Sequence, residues 1–206
     1  MNDTKKVGRP KKFDKEQALD AAIKVFWSKG YNGASMKDLT TGMGINGPSL
    51  YATFGDKHAL YLQAIEAYAN GEACAPLDAF ENEPDIHLAV SAFLEASISY
   101  ATNHESGIKG CFVGSCVATS AGEVDGVQPL LHEAITSTDA RLTARFEAEK
   151  AQGNLPQDFP SAERARLMFD LRQGYVLRAR AGINPEAMRI ELRTRSNMVL
   201  MHNSKQ

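Results

Sequence analysis

Apolar residues in the first quarter of the chain recur at helical spacing. Ala18, Leu19, Ala22, Ile23, Val25 and Phe26 form one stripe, opened by Asp14 with Gln17 three residues on and closed by Gly30. A capping residue, a period near 3.6 and a terminal glycine predict an amphipathic helix. Ser35 followed by Asp38 opens a second, short helix that stops at Met43-Gly44-Ile45. Asn46 caps a third, with Pro48 in its first turn, where a missing N–H costs nothing. Gly55-Asp56 ends that helix and caps a fourth, predicted from Lys57 to Glu72, with Leu60, Ala64, Ile65 and Tyr68 as its apolar set. A looser stretch then runs from Ala75-Pro76 to Glu83-Pro84-Asp85. Further helices are predicted at 86–104, 110–121, 128–152, 161–181 and 185–203, punctuated by glycines and prolines. In the last, Asn184-Pro185-Glu186 supplies a cap and then Pro at the first helical position. No stretch alternates with strand period, and there is no internal repeat.

The expected fold is therefore all-α, with about nine helices. A basic arm (1–12) precedes a three-helix head (13–60) containing a helix-turn-helix. A helical body (61–206) follows, with the boundary inside the fourth helix. Composition agrees with a globular chain: 206 residues, 43% of them hydrophobic. No apolar run approaches the ~18 residues that a membrane span needs. The start of the chain is basic and polar without an apolar segment behind it, so no secretory signal and no membrane partner are expected, and the expected location is the cytoplasm. Cys74, Cys111 and Cys116 are an odd count, which argues against a disulfide framework.

Charge changes the picture. The net charge of −2 hides an asymmetry: residues 1–60 carry ten Lys/Arg against six Asp/Glu, and residues 61–206 carry thirteen against nineteen. Five of the basic residues, Lys5, Lys6, Arg9, Lys11 and Lys12, fall within eight positions. A basic head on an acidic body turns one end toward phosphate and keeps the other away from it. A helix-turn-helix serves that purpose if its turn is tight enough to project the second helix into a major groove. Gly44 takes positive φ without steric cost, and Leu39, Met43, Ile45 and Leu50 are apolar where the two helices must pack.

The surrounding residues sharpen the match. Ala21-Ala-Ile-Lys-Val-Phe26, Gly30-Tyr31, Gly33-Ala-Ser-Met36, Gly44-Ile-Asn-Gly-Pro-Ser-Leu-Tyr51, Phe54 and Asp56-Lys57-His-Ala-Leu60 stand in order. Over residues 13–62 this closely resembles the TetR family of bacterial transcriptional regulators. The remainder is similar only in helical layout. One departure is Thr40, where the family commonly has a small apolar residue. The resemblance implies roles for individual residues. Ser49 would contact a base or phosphate. Tyr51 would place its hydroxyl on a phosphate. Lys57 would meet a phosphate at the start of the fourth helix, where helix dipole and cation together make an anion site. Asn46, Gly47, Ala52 and Thr53 would face the groove, with Lys37 nearby, while Leu50 and Phe54 belong to the core. The third helix has no Arg, Lys or Gln among residues 46–53, so it lacks the fork that reads guanine. Specificity then leans on backbone positioning and DNA shape. Arg9, with Lys11 and Lys12, suits a narrow A·T-rich minor groove, the alternative being a solvated tail.

For the body, the resemblance implies an effector pocket among the fourth to eighth helices. Tyr68, Phe93, Tyr100, Cys111, Phe112, Phe146 and Phe169 are candidates to line it, or to be ordinary core. Gly110-Cys-Phe-Val-Gly-Ser-Cys116 opens the helix that in this family couples pocket to head. Its cysteines read as small core residues, as a redox or electrophile sensor near a helix N-terminus, or as soft-metal ligands. Spacing weakens the metal reading: five residues turn a helix by about 500°, leaving the two thiols about 140° apart. No cofactor or metal is expected. His58, His87, His104, His132 and His202 are scattered. No nucleophile elbow, phosphate loop, zinc-protease helix or dinucleotide fingerprint is present, so the chain does not read as an enzyme.

Two late helices carry apolar and small positions suited to a two-fold interface: Leu167, Leu171, Gly174, Tyr175 and Leu177 on one, Met188, Leu192 and Val199 on the other. An intramolecular core stripe would look the same. Two heads must meet successive major grooves about 34 Å apart, which calls for a homodimer. The function implied is a homodimeric repressor released from a palindromic double-stranded DNA operator by an unknown small-molecule effector. An activator, or a thiol-based sensor acting through Cys111, stands as the alternative.

Overall fold

The carboxylate of Asp14 accepts the N–H groups of Glu16 and Gln17 and so starts α1 (Lys15–Gly33) where the sequence placed it. The computed structural model describes residues 13–71, 74–104 and 107–202. Gly30, expected to end the first helix, instead kinks it at φ 72°, and α1 runs on to Gly33. Ser35 and Asp38 form a complete capping box at the start of α2 (Met36–Met43), each side chain accepting the other's backbone N–H. Lys29 adds an ion pair to Asp38, and that contact, with the Ser35 hydrogen bonds, holds the Asp38 carboxyl well below its ordinary pKa. Gly44 ends α2 in the left-handed region, at φ 65° and ψ 26°. A Cβ on Gly42 would sit 2.6 Å from Val25 Cγ2, so α2 approaches α1 as closely as glycine permits. α3 (Gly47–Phe54) and α4 (Lys57–Asn70) start on Asn46 and Asp56, whose side chains accept the N–H of Ser49 and Ala59.

The body differs from expectation in three places. The stretch after Cys74 is helical: α5 (Ala75–Asn82) begins with Pro76 in its first turn and buries Leu77 and Phe80 three residues apart. After α6 (Ile86–Thr102), the next helix starts as a π-helical turn (Val113–Val117), with the Ala118 N–H reaching Val113 O, and ends as a short α7 (Ala118–Ser120). α8 (Val127–Ala151) and α9 (Ser161–Arg180) match the prediction closely. The predicted last helix divides at Ile190-Glu191 into α10 (Pro185–Arg189) and α11 (Leu192–Leu200). Arg189 ties α10 to Glu95 and Ser99 of α6, while α11 lies against both α6 and α9, and the break lets each segment follow its own partner. Asn184 caps α10 as its sequence required. The described residues contain helices and no strand.

Two aromatic groups hold these helices together. Phe26 and Trp27 of α1 meet Tyr61 and Tyr68 of α4 at ring-centroid distances of 4.8 and 5.7 Å, and Tyr68 in turn meets Phe112 at 5.3 Å. This group joins head to body. Phe80 meets Phe93 and Phe146 at 6.2 and 5.5 Å and fills the body between α5, α6 and α8. No described helix is long and apolar enough to cross a membrane.

Candidate nucleic-acid interface and interior cavity

The short third helix presents a small, nearly neutral face. Tyr51 is 57% exposed, and Asn46, Pro48 and Ala52 stand exposed beside it, with Gly47, Ser49 and Thr53 half-buried. Leu50 and Phe54 point into the core at 0% and 2% exposure, as the sequence predicted. Asn46 commits its Oδ1 to the helix cap. Pro48 went unread as part of this face, because its pattern signals only a helix start. Lys37 is exposed on α2. Lys57 opens α4, its Nζ 4.5 Å from the centre of the Tyr31 ring, and partial burial pulls its pKa down. Lys57 thus places a cation at the positive end of α4, where Asp56 already accepts the Ala59 N–H, an arrangement that can add a phosphate contact through the Lys57 side chain. Arg9, Lys11 and Lys12 lie outside the described residues.

The body touches the head on either side of Lys57. Asn32 at the end of α1 donates to Glu123 at 3.2 Å, and His58 pairs with the carbonyl of Asp125 at 2.8 Å. Beneath them, Cys116 donates to the Phe26 carbonyl at 3.3 Å, and Tyr61 meets Ser120 at 2.8 Å. Burial raises the pKa of both the Cys116 thiol and the Tyr61 hydroxyl. Cys116 therefore faces the head.

Cys111 faces elsewhere. Tyr68 donates its hydroxyl to Cys111 Sγ at 3.4 Å, and Cys111 lines a cavity of about 160 Å³. The two thiols serve different sites, although Cys111 lies before the helix, so the α-helical spacing argument does not apply to the pair. Among the described residues no group of three or more His, Cys, Asp or Glu is placed to hold a metal. The cavity is walled by Ile65 and Ala69 of α4, Leu77 of α5, Val113 of the π-helical turn, and Leu130 and Ile135 of α8. Polar groups punctuate this apolar wall. Arg141 of α8 makes a two-pronged contact with Glu81 at 2.8 and 2.7 Å, and its Nη1 donates to Cys74 Sγ at 3.5 Å. The Glu81 contact raises the guanidinium pKa further. Phe169 and Arg172 reach the cavity from α9, and Glu66 and Glu133 stand exposed at its mouth.

Of the aromatic and thiol candidates, Cys111 and Phe169 line this cavity. Tyr68, Phe93, Phe112 and Phe146 are instead buried in the two aromatic groups, and Tyr100 gives its hydroxyl to Tyr68 at 2.6 Å. Aromatic side chains are large enough to close a helical core, and here they do so rather than line the space left over. Arg141, Arg172 and Thr138 were missed because charged and hydroxyl side chains on amphipathic helices read as solvated faces. Tyr175, Met188 and Val199 are buried within their own chain, at 0%, 4% and 0% exposure, so they belong to the intramolecular core. Leu171, Gly174 and Leu192 are half-buried, while Leu177 and Ile190 are 71% and 82% exposed.

A capped short helix, a left-handed glycine turn and a second short helix with an exposed tyrosine define a helix-turn-helix DNA-binding protein. Residues 18–64 match the family described as bacterial regulatory proteins, tetR family. The chain is 30% identical over 169 residues to the HTH-type transcriptional repressor BdcR of Escherichia coli K12, covering 82% of this chain and 84% of that protein. It is 28% identical over 186 residues to the repressor ComR of the same organism, covering 88% and 86%. Among solved structures it resembles a cysteine variant of the TetR-family regulator CifR complexed with 26-bp double-strand operator DNA. That match has a TM-score of 0.82 and 28% identity, over 92% of this chain and 98% of the other. The chain belongs to the TetR family of bacterial transcriptional regulators.

Proposed function

We propose that this regulator is a homodimeric repressor that leaves its operator when a small molecule fills the cavity. The observation that carries the reading is α4. It begins at Lys57, beside the exposed face of α3, and its next turns supply Ile65, Glu66, Ala69 and Asn70 to the cavity wall. The nine steps from Lys57 to Glu66 span about 14 Å at 1.5 Å per residue. A ligand that shifts the wall therefore shifts the head through one unbroken rod. The head runs over residues 13–60 and the effector and dimerisation body from 61 onward, with the boundary inside this helix.

On this reading Tyr51 and Lys57 hold phosphates, with Arg9, Lys11, Lys12 and Lys37 adding charge. Asn46, Gly47, Ser49, Ala52 and Thr53 meet the groove. Half-buried Leu171 and Gly174 with exposed Leu177 and Ile190 form the surface a second copy covers. Repression is supported by the names of BdcR and ComR. A ligand whose affinity for the DNA-fitting and non-fitting states differs by 1–3 kcal/mol gives about five- to 150-fold regulation. Quantitative footprinting on the chain's own upstream region tests the reading. Specific binding should weaken linearly in log–log salt, and deleting the regulator should raise a reporter from the same promoter. Weak, salt-insensitive binding to every fragment sinks it, and a reporter that falls on deletion assigns an activator.

A second reading keeps the scaffold and changes the signal. Cys111 is on the cavity wall, 2% exposed, so a small electrophile entering the cavity meets a thiol. If alkylating Cys111 leaves operator affinity unchanged, the thiol has no signalling role.

A further inference from the structure

Lys57 is held by a ring. Its Nζ stands over Tyr31, 4.5 Å from the ring centre. The negative face of an aromatic ring attracts a cation without neutralising it. Lys29, by contrast, gives its charge to the carboxylate of Asp38. An ammonium has three N–H donors, and those pointing away from the ring stay open to an outside anion. The ring is itself fixed. Gly30, at φ 72° and ψ 169°, bends the chain one residue before Tyr31, in a region that glycine alone enters readily. The Tyr31 ring packs on Tyr61 at 4.9 Å and on Phe26 at 6.3 Å, both fully buried. The Tyr61 hydroxyl is pinned in turn by Ser120 at 2.8 Å. A lysine side chain loses rotamer entropy when a ligand orders it. Where a ring has already ordered it, that cost on binding is smaller.

We propose that Tyr31 is a positioning residue for DNA binding: its ring seats the Lys57 ammonium, so that a backbone phosphate arriving at the start of α4 meets a cation already in place. The proposal rests on Lys57 contacting a phosphate, and it adds to that reading a residue that acts through Lys57.

Two measurements on the full-length protein test it. In the native protein without DNA, NMR should place the Lys57 Hε protons upfield of those of exposed Lys37, because they lie over the shielding face of a ring. Tyr31→Phe should keep that shift and Tyr31→Leu should abolish it. An unshifted Lys57 in the native protein overturns the proposal, and that spectrum needs no variant, so it can do so even if Tyr31→Leu fails to fold. Operator affinity is then read by fluorescence anisotropy on the duplex protected in the upstream region. Tyr31→Leu should weaken binding about two- to fivefold, the range of a partly exposed cation–π contact, and flatten the log–log salt slope. Tyr31→Phe should bind like the native protein, since it keeps the ring. Adding Tyr31→Leu to Lys57→Ala should cost nothing beyond Lys57→Ala alone. Losses that multiply in the double variant overturn the proposal, because Tyr31 would then act on the head as a whole. So does a Tyr31→Phe variant as weak as Tyr31→Leu, or native affinity in a folded Tyr31→Leu. Failure of the underlying reading looks different. Lys57→Ala with native affinity and slope removes the phosphate contact, and the positioning role with it, even where the ring shift is present.

Discussion

The exposed face of α3 and the cavity of the body are built in opposite ways. The first is drawn from one run of chain, residues 46–57, and its helix ends are set locally: Asn46 caps α3, Asp56 caps α4, and a glycine turn precedes them. The second is drawn from five elements spread between Ile65 and Arg172. The face is small, polar and nearly uncharged, and its strength comes from where the backbone puts it. The cavity is largely apolar, with charged groups both within it at Arg172 and at its exposed edge on Glu66 and Glu133. A surface made locally can be read locally, whereas a space made by packing depends on every helix around it.

Substitutions sharpen this contrast in descending order of effect. Phe26 is fully buried between the head and Tyr61 of the body. Phe26→Ala should cost about 3–5 kcal/mol of stability in chemical denaturation, because a large side chain leaves a cavity that the junction cannot close. It should weaken operator and cavity ligand alike, since both depend on the junction. Gly44→Ala should cost about 1–2 kcal/mol, the penalty of a left-handed backbone for a residue with Cβ, and should weaken operator binding while leaving cavity titrations near the native value. An equal loss at both sites would mean that the head is not independently built. Lys57→Ala should lower operator affinity by roughly three- to tenfold and reduce the log–log salt slope by about one, with ligand affinity untouched. An unchanged slope would remove Lys57 from the phosphate contacts.

The smallest effect is a pH dependence at Asp38. Its carboxyl is held below the ordinary value of 3.8, first by Lys29 and then by Ser35. A depressed folded pKa stabilises the fold above the unfolded value, and the contribution is lost as pH falls through the folded one. Asp38→Asn should therefore lower the melting temperature slightly at neutral pH, and the gap from the native protein should narrow progressively below about pH 4. A gap that is constant with pH would mean that the ion pair contributes nothing.

The same contrast explains what was legible in the sequence. The caps at Asp14, Ser35, Asn46, Asp56 and Asn184 all act where the sequence places them, because a cap involves only two or three neighbours. α5 went unread because Pro76 and Pro84 suggested a loop, although Leu77 and Phe80 had helical spacing. The split at Ile190-Glu191 has no local signal, since it follows from Arg189 reaching α6. The cavity was the least legible. Phe93, Phe112 and Phe146 could have been lining or core and are core, while Arg172, which no sequence pattern singled out, is lining. Periodicity shows that a helix has an inner face, but which inner residues border an empty space depends on the shapes of all the others.

The continuity of α4 also fixes a phase. One residue inserted between Leu60 and Ile65 would turn everything beyond it by about 100° and advance it 1.5 Å. Seven inserted residues would restore the orientation to within about 20°. Head and cavity wall behave like two marks on one screw. A chimera that grafts this head onto another body must therefore preserve the turn count through α4 as well as the residues at its two ends.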